Sequence, residues 1–401
     1  MPSSRPPPLI NRTARAALLR LTAGFPVVVL TGPRQSGKTT LARHAFPSKP
    51  YVSLENPSER EFAVTDPIGF LGRFPAGAVI DEVQRVPDLM SWIQGIVDEQ
   101  PVMGQFVLTG SQQFDLVAGI TQSLAGRAGR LELLPLSVAE LNAVGFLADD
   151  LETNLFRGGY PAIFGRDVSV GDWLGNYLAT YVERDVGQLL KVRDLSTFHR
   201  FVGMCAARSG QLLNLTALGS DCGISTPTAR EWLSVLQASY VVSLVAPLHA
   251  NVTTRLSKSP KLYFLDSGLM CFLLGIRDPQ TLITHISRGP VFETWVASEI
   301  VKQGFNDARR PSLGFLRDKR GREIDLTLES GRDLVLIEVK SGRTFARDWI
   351  APMRQWREDL AKDGDVKLSP IVIYGGDEST MREGVRLMSW RDLVTGAIGP
   401  D

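Results

Sequence analysis

Residues 32–39 read Gly-Pro-Arg-Gln-Ser-Gly-Lys-Thr and fit G-x-x-x-x-G-K-[ST] at every fixed position. Glycine at 32 and 37 lets the chain turn tightly, so that backbone N–H groups point inward at phosphate oxygens. The predicted cradle is Gly32, Pro33, Arg34, Gln35, Ser36, Gly37, Lys38, Thr39 and Thr40. Lys38 would neutralise β- and γ-phosphate charge, and the Thr39 hydroxyl would face Mg²⁺. Downstream, the apolar run Ala78-Val-Ile ends in Asp81 and Glu82. Asp81 is the candidate second Mg²⁺ residue, opposite Thr39, and Glu82 the candidate general base. Phe106-Val-Leu-Thr-Gly-Ser places Ser111 where it could sense a γ-phosphate. Arg127 and Arg130 are candidate arginine fingers, acting in cis or from a neighbouring subunit. Together these residues could bind and hydrolyse a nucleoside triphosphate.

A second set lies toward the C-terminus. Leu334-Val-Leu-Ile-Glu338-Val-Lys340 is an apolar run broken by two charges two residues apart. In a strand those side chains share a face, and burying either one unpaired is costly. Asp325 takes the polar phase of an alternating segment upstream, and a hairpin would set it beside Glu338. Glu293, on a preceding helix, could complete an acidic cluster. Arg309, Arg310, Arg317, Lys319, Arg320 and Arg322 crowd the chain before Asp325 and could track a phosphate backbone.

The elements that position these residues are legible from periodicity. Val27–Thr31, Tyr51–Leu54, Ala78–Asp81 and Phe106–Thr109 are short apolar runs separated by amphipathic stretches. That alternation predicts an α/β unit, a parallel sheet with helices on both faces. Residues 137–195 read as helical. Residues 213–233 predict a helix-turn-helix: a helix over Leu215–Asp221, a turn at Gly223, then a helix capped by Ser225 or Thr226 with Pro227 in its first turn. Ala229, Trp232, Leu233, Leu236 and Tyr240 form its apolar stripe, leaving Thr228, Arg230, Ser234 and Gln237 outside. Val241–Pro247 and Lys261–Leu265 could form a wing, with Arg255, Lys258 and Lys261 near its tip. A helix over Val291–Lys302 precedes adjacent strands at Gly314–Leu328 and Leu334–Lys340, with a turn at Ser330-Gly331-Arg332. Pro370–Tyr374 adds a further strand.

Bulk composition narrows the class. The chain has 401 residues, more than one core usually serves, with 44% hydrophobic and 22% charged residues. Net charge is +1, so any nucleic-acid binding must come from a local patch. The three cysteines and four histidines show no metal-ligand spacing. No apolar run is long enough to span a bilayer, and the Pro-rich start lacks a signal-peptide apolar region. A cytoplasmic protein is the expectation.

The string TGPRQSGKTTL, then VIDEVQRVPDL, FVLTGS, SLAGR and PLS, resembles the bacterial and archaeal AAA-type ATPases that carry a C-terminal domain of unknown function. The resemblance continues through residues 156–161 (FRGGYP), 181–185 (YVERD), 261–268 (KLYFLDSG) and 291–295 (VFETW), and ends in 338–342 (EVKSG). It implies an AAA-like P-loop domain over 1–136, a helical lid over 137–195 and a winged-helix module over 196–270. It also implies a C-terminal restriction-endonuclease-like α/β domain over 271–401. The Asp325, Glu338 and Lys340 set resembles the PD-(D/E)xK nuclease core, although Ile324 stands where that motif has proline. By that resemblance Asp325 and Glu338 would be ligands for Mg²⁺ or Mn²⁺, Glu293 an auxiliary ligand, and Lys340 the catalytic lysine. The expectation is a Mg²⁺-dependent ATPase acting on DNA as a homo-oligomer, a ring among the possible forms, with possible nuclease activity. The alternative is a nucleotide-controlled switch that binds DNA or protein and keeps an inactive nuclease-like domain.

Overall fold

Val27–Thr31 (β1) is buried at every position, because both faces of this strand are covered. Val27 and Val29 face one apolar cluster while Val28 and Leu30 face another, the period-two alternation of a strand between two helical layers. The computed structural model describes residues 10–111, 123–181, 195–248, 259–331, 333–360, 367–396 and 398. Before β1 runs α1 (Arg15–Gly24), and after it α2 (Lys38–Ala45) and β2 (Tyr51–Ser53). Then come α3 (Pro57–Thr65), α4 (Pro67–Gly72), β3 (Val79–Asp81), α5 (Leu89–Glu99), β4 (Phe106–Gly110) and β5 (Ala128–Glu132). The five strands pair in parallel in the order β2-β3-β4-β1-β5. All five therefore present their carboxyl ends on one edge, where open α/β sheets place ligands. α1 and α2 pack on one face; α3, α4 and α5 pack on the other.

Beyond Ser137 the chain is helical, as its sequence predicts. α6 (Val138–Ala143) opens with a capping box between Ser137 and Glu140. α7 (Leu151–Arg157), α8 (Pro161–Gly165), α9 (Val170–Tyr181) and α10 (Leu195–Ala207) follow. The expected helix-turn-helix is α11 (Leu215–Cys222) and α12 (Thr226–Ala238), with Gly223 at φ 72° between them and the Ser225 side chain accepting from Thr228 N–H. β6 (Val242–Pro247) and β7 (Lys261–Phe264) form an antiparallel pair. Arg255 and Lys258, and all of the 181–185 motif after Tyr181, lie outside the described residues. Tyr240 is not part of the α12 stripe. It packs with Leu134, Leu265, Val301 and Phe305 against the first sheet.

The remaining elements are α13 (Ser267–Leu273), α14 (Pro279–Thr284), α15 (Arg288–Asn306), β8 (Ser312–Arg317), β9 (Glu323–Ser330) and β10 (Asp333–Lys340). They end with α16 (Ala351–Leu360), β11 (Lys367–Tyr374), β12 (Thr380–Arg382) and β13 (Val385–Ser389). An eight-stranded mixed sheet orders them β12-β13-β11-β10-β9-β8-β6-β7. The stretch expected as one strand over Gly314–Leu328 is a hairpin of β8 and β9. It folds because the Asp318 carboxylate accepts from the N–H groups of Arg320 and Arg322, and Gly321 takes φ +84°.

One hydrophobic cluster runs from Val138 to Ile398 and draws on α6 to α10, the α11–α12 pair and the C-terminal sheet alike. A buried joint explains two of the quoted sequence strings. Asp266 caps α13 through Leu269 N–H and accepts from Gly159 N–H, both at 2.8 Å. A Cβ at Gly158, whose φ is +63°, would meet Asp266 Oδ1 at 2.4 Å.

Candidate nucleotide site and C-terminal carboxylate cluster

The loop after β1 has the backbone its sequence predicts. Gly32 and Gly37 take φ +149° and +94°, and Gln35 takes φ 61°. A Cβ at Gly32 would lie 2.1 Å from the Leu133 carbonyl oxygen, so only glycine lets β5 approach the loop this closely. α2 begins at Lys38, aiming its N-terminal amides at the loop. Lys38 Nζ donates to the carbonyls of Gly32 at 2.9 Å and Pro33 at 2.7 Å. The Ser36 hydroxyl oxygen is buried without a hydrogen-bond partner among the described residues. An orphaned buried donor inside a glycine-lined loop suits a phosphate oxygen.

The carboxyl edge gathers the other predicted residues. Thr39 Oγ1 donates to both Asp81 oxygens, at 3.2 and 3.0 Å. Thr39 and Asp81 thus offer adjacent oxygens of the type Mg²⁺ takes. Tyr51 O–H donates to Asp81 Oδ2 at 2.8 Å, and Thr109 also donates to Asp81. Burial, then the bond to Asp81, pushes the Tyr51 phenol up to about 12. Glu82 is held in the left-handed region at φ 57°, an uncommon conformation for this residue type. Ser111 Oγ donates to Glu82 Oε2 at 3.3 Å, and Gln84 Nε2 donates to both of them. Ser111, Gln84 and Glu82 therefore form one polar triangle at the ends of β3 and β4.

A cleft of about 670 Å³ opens over this edge. Arg34, Gln35, Gly37, Lys38, Thr39, Thr40 and Glu82 form one wall; Pro161, Ala162, Gly165, Arg166, Tyr177 and Thr180 form the other. Arg12 reaches across its base, donating to Ser36 O at 2.6 Å, Leu134 O at 2.7 Å and Glu140 Oε1 at 3.0 Å. Among the described residues, the arginines at the cleft are Arg12, Arg34 and Arg166. Arg127 instead pairs with Asp98 on the exposed face of α5, and Arg130 pairs with Glu132 on its own strand. Each was a finger candidate from its sequence setting, and each has a local carboxylate that engages it within one copy. Arg12, Tyr51 and Arg166 lie outside the quoted motifs and join the site through tertiary contacts, while Gln84 and Thr109 lie within quoted strings that gave them no role. Tyr51 alone had a local signal, as a polar-tipped residue opening a parallel strand beside the one that ends in Asp81.

The C-terminal cluster assembles in part. Continuing the β9–β10 register one step past the Ile337–Leu326 pair sets Asp325 opposite Glu338. There the Asp325 carboxylate accepts from Val339 N–H at 2.8 Å and bonds the Glu338 carboxyl group. Lys340 Nζ lies 2.7 Å from Glu338 Oε2 and 3.6 Å from Asp325 Oδ2. Burial, then the Asp325 charge, raises the Glu338 carboxyl to about 9, so it carries the proton of the pair. Burial opposes ionisation of Asp325, but Lys340 and its hydrogen bonds prevail and hold it below the usual range. Glu293 is engaged otherwise. Lys261, its side chain 1% exposed, bridges Glu293 at 3.2 Å and Glu323 at 2.5 Å and donates to the Asp325 carbonyl. Tyr263 O–H also donates to Glu293, whose carboxyl is raised to about 7 by burial and then by Asp325.

These donors do not fit a metal. Among the described residues no group of three or more His, Cys, Asp and Glu side chains is arranged to hold a metal ion. Expected as a ligand set, Glu293, Asp325 and Glu338 instead engage the ammonium groups of Lys261 and Lys340. The expected basic track is also partly spent. Arg310 pairs with Glu132, Arg317 with Glu323, and Arg322 with Asp318 and Asp359.

Comparison with known proteins agrees with the fold of the first sheet. Residues 24–142 match the AAA domain model, while 148–280 and 288–393 match two domains of unknown function, DUF8612 and DUF4143. The uncharacterized protein Rv2008c of Mycobacterium tuberculosis is 35% identical over 327 residues, covering 80% of this chain and 72% of that protein. The uncharacterized protein Mb2031c of Mycobacterium bovis matches to the same extent. Among solved structures, the Walker-type ATPase PABY2304 of Pyrococcus abyssi aligns at 15% identity with a TM-score of 0.45, over 68% of this chain and 99% of that one. No described helix is long and apolar enough to cross a membrane. The chain belongs to the family of these two mycobacterial proteins, as an AAA-type P-loop ATPase that carries a C-terminal DUF4143 domain.

Proposed function

We propose that the chain is a Mg²⁺-dependent ATPase whose turnover changes how its C-terminal half engages a partner. The observation that carries this reading is the Thr39–Asp81 contact, with Glu82 lining the same cleft. Lys38 and the loop amides hold the phosphates, and Arg34 and Arg166 add positive charge from opposite walls. Thr39 and Asp81 would hold Mg²⁺, which when bound neutralises charge on phosphate oxygens. Glu82, fixed by Gln84 and Ser111, orients the attacking water and takes its proton. Steady-state ATP hydrolysis tests this. Lys38→Ala should abolish turnover through lost binding, and Glu82→Gln should abolish it while binding persists. Unchanged turnover in either variant rejects the assignment.

For the C-terminal half, the switch reading is favoured over a nuclease, because Lys261 fills the acidic pocket. DNA remains the proposed partner class: Arg230 on α12 and Lys319 and Arg320 at the β8–β9 turn are exposed. Binding should weaken steeply with salt, and more so in Arg230→Ala. Plasmid cleavage with Mg²⁺ or Mn²⁺ that is lost in Asp325→Ala and Lys340→Ala would restore the nuclease reading. No salt-dependent DNA binding would leave a protein partner. Homo-oligomerisation belongs to the same proposal, and sizing in ATP against ADP tests it. So do the domain limits 1–136, 137–195, 196–270 and 271–401, which limited proteolysis would check.

A further inference from the structure

We infer that Tyr240 is a positioning residue for the phosphate loop, tying it to the helix-turn-helix through a hydrogen-bonded chain. Thr31, the last residue of β1 and the one before Gly32, places its Oγ1 2.8 Å from the Tyr240 hydroxyl. That hydroxyl donates to Glu132 Oε1 at 3.0 Å. A phenol has one proton to give, so the Thr31 hydroxyl is the donor in the first contact. Glu132 is the register partner of Thr31 in the parallel β1–β5 pair. It also accepts from Arg130 at 2.9 Å and from Arg310 at 2.7 Å.

The chain's position gives it leverage. The residue directly after β5 is Leu133, whose carbonyl oxygen closes against Gly32 and whose N–H bonds Thr31 O at 2.8 Å. Tyr240 and Glu132 therefore clamp the strand pair at the point where the loop departs. On the far side, Tyr240 is two residues beyond the end of α12 and two before β6. Its φ of 58° is rare for a bulky residue, and tertiary packing around it must hold it there. Thr31 is fully buried and Tyr240 and Glu132 nearly so, so water cannot replace the chain's bonds cheaply. Burial, then Glu132, pushes the Tyr240 phenol up to about 12, which keeps it a donor at ordinary pH.

The inference rests on the ATPase reading, and its test separates the two. Tyr240→Phe keeps the ring and deletes the hydroxyl; Thr31→Val deletes the other end; Thr31→Ser restores it. Both deletions should lower kcat for ATP about tenfold, the scale for a small misplacement of reacting groups, with KM changed less than twofold. The double variant should be no worse than either single one, and Thr31→Ser should return kcat to within twofold of wild type. A second readout needs no turnover. ADP should slow amide hydrogen exchange in the 236–244 peptide of the wild type and not of Thr31→Val. A kcat within twofold of wild type in Tyr240→Phe, or nucleotide-dependent protection that survives Thr31→Val, overturns the positioning role. Wild-type turnover no greater than that of Lys38→Ala removes the ATPase reading instead, and the exchange result then decides Tyr240 alone. A wild type that neither binds nor hydrolyses nucleotide overturns both.

Discussion

Asp81 accepts the Thr39 hydroxyl with both carboxylate oxygens across 42 residues of sequence. Asp81→Asn keeps the size of the side chain and removes its charge. Mg²⁺-dependent turnover should fall by roughly two orders of magnitude, in the range seen when one preorganised electrostatic group is lost. ATP binding without Mg²⁺ should persist. Titrating Mg²⁺ into the turnover assay checks this, and a variant with unchanged Mg²⁺ dependence contradicts it.

The arginines divide by location. Arg34 and Arg166 line the cleft, while Arg127 and Arg130 are held by Asp98 and Glu132. At low protein concentration Arg166→Ala and Arg34→Ala should lower kcat/KM more than Arg127→Ala does. Should Arg127→Ala become the worst variant only as concentration rises, a neighbouring copy uses it, and sizing in ATP would show the assembly.

The Glu338 carboxyl gives a stability prediction with a defined sign. Its folded pKa is about 9, above the ordinary 4.5, through burial and then Asp325, with Lys340 opposing. Between those values the unfolded chain has released the proton and the folded one retains it. Stability from this group is therefore complete below about pH 4.5 and is lost as pH rises toward 9. Glu338→Gln should raise Tm at pH 8 by a few degrees, roughly 2–4 °C for each kcal/mol regained. It should change little at pH 5. Thermal melts across that window check the slope.

Asp266 caps α13 and satisfies Gly159 N–H inside the core. Asp266→Ala should cost about 3 kcal/mol, the sum of a lost cap and an orphaned buried donor. Asp266→Asn, which keeps an acceptor, should recover most of it. Urea unfolding distinguishes the two, and equal midpoints would contradict the joint.

The phosphate loop was legible because its function depends on adjacent residues and backbone φ angles that glycine alone tolerates. The helix cap at Ser225 and the turn at Gly223 were legible for the same local reason. What sequence could not supply was pairing at long range. Lys261 reads as a residue near a wing tip, yet its ammonium sits in the acidic pocket. Tyr240 reads as one more apolar residue on the α12 stripe, because only the turn after that helix swings it toward Thr31. Half of the basic run before Asp325 reads as free charge, yet Arg317 and Arg322 pair with Glu323 and Asp318 inside the folded β8–β9 hairpin, and Glu132 and Asp359 come to Arg310 and Arg322 from distant segments. Fold class depends on periodicity, but the state of each charge depends on neighbours that the folded chain chooses.

The nucleotide cleft has one wall on the first sheet and the other on α8 and α9, which share a hydrophobic core with α10 to α15 and one face of the C-terminal sheet. A single unit of matter therefore lines the nucleotide and also carries the outer surfaces of the C-terminal half. Thermodynamic reciprocity then applies. Whatever factor ATP imposes on a partner's affinity, that partner must impose on ATP. A molecule gripping the far surface would tighten or loosen nucleotide binding without approaching the phosphates. The nucleotide's Kd would then report how heavily the distant surface is loaded.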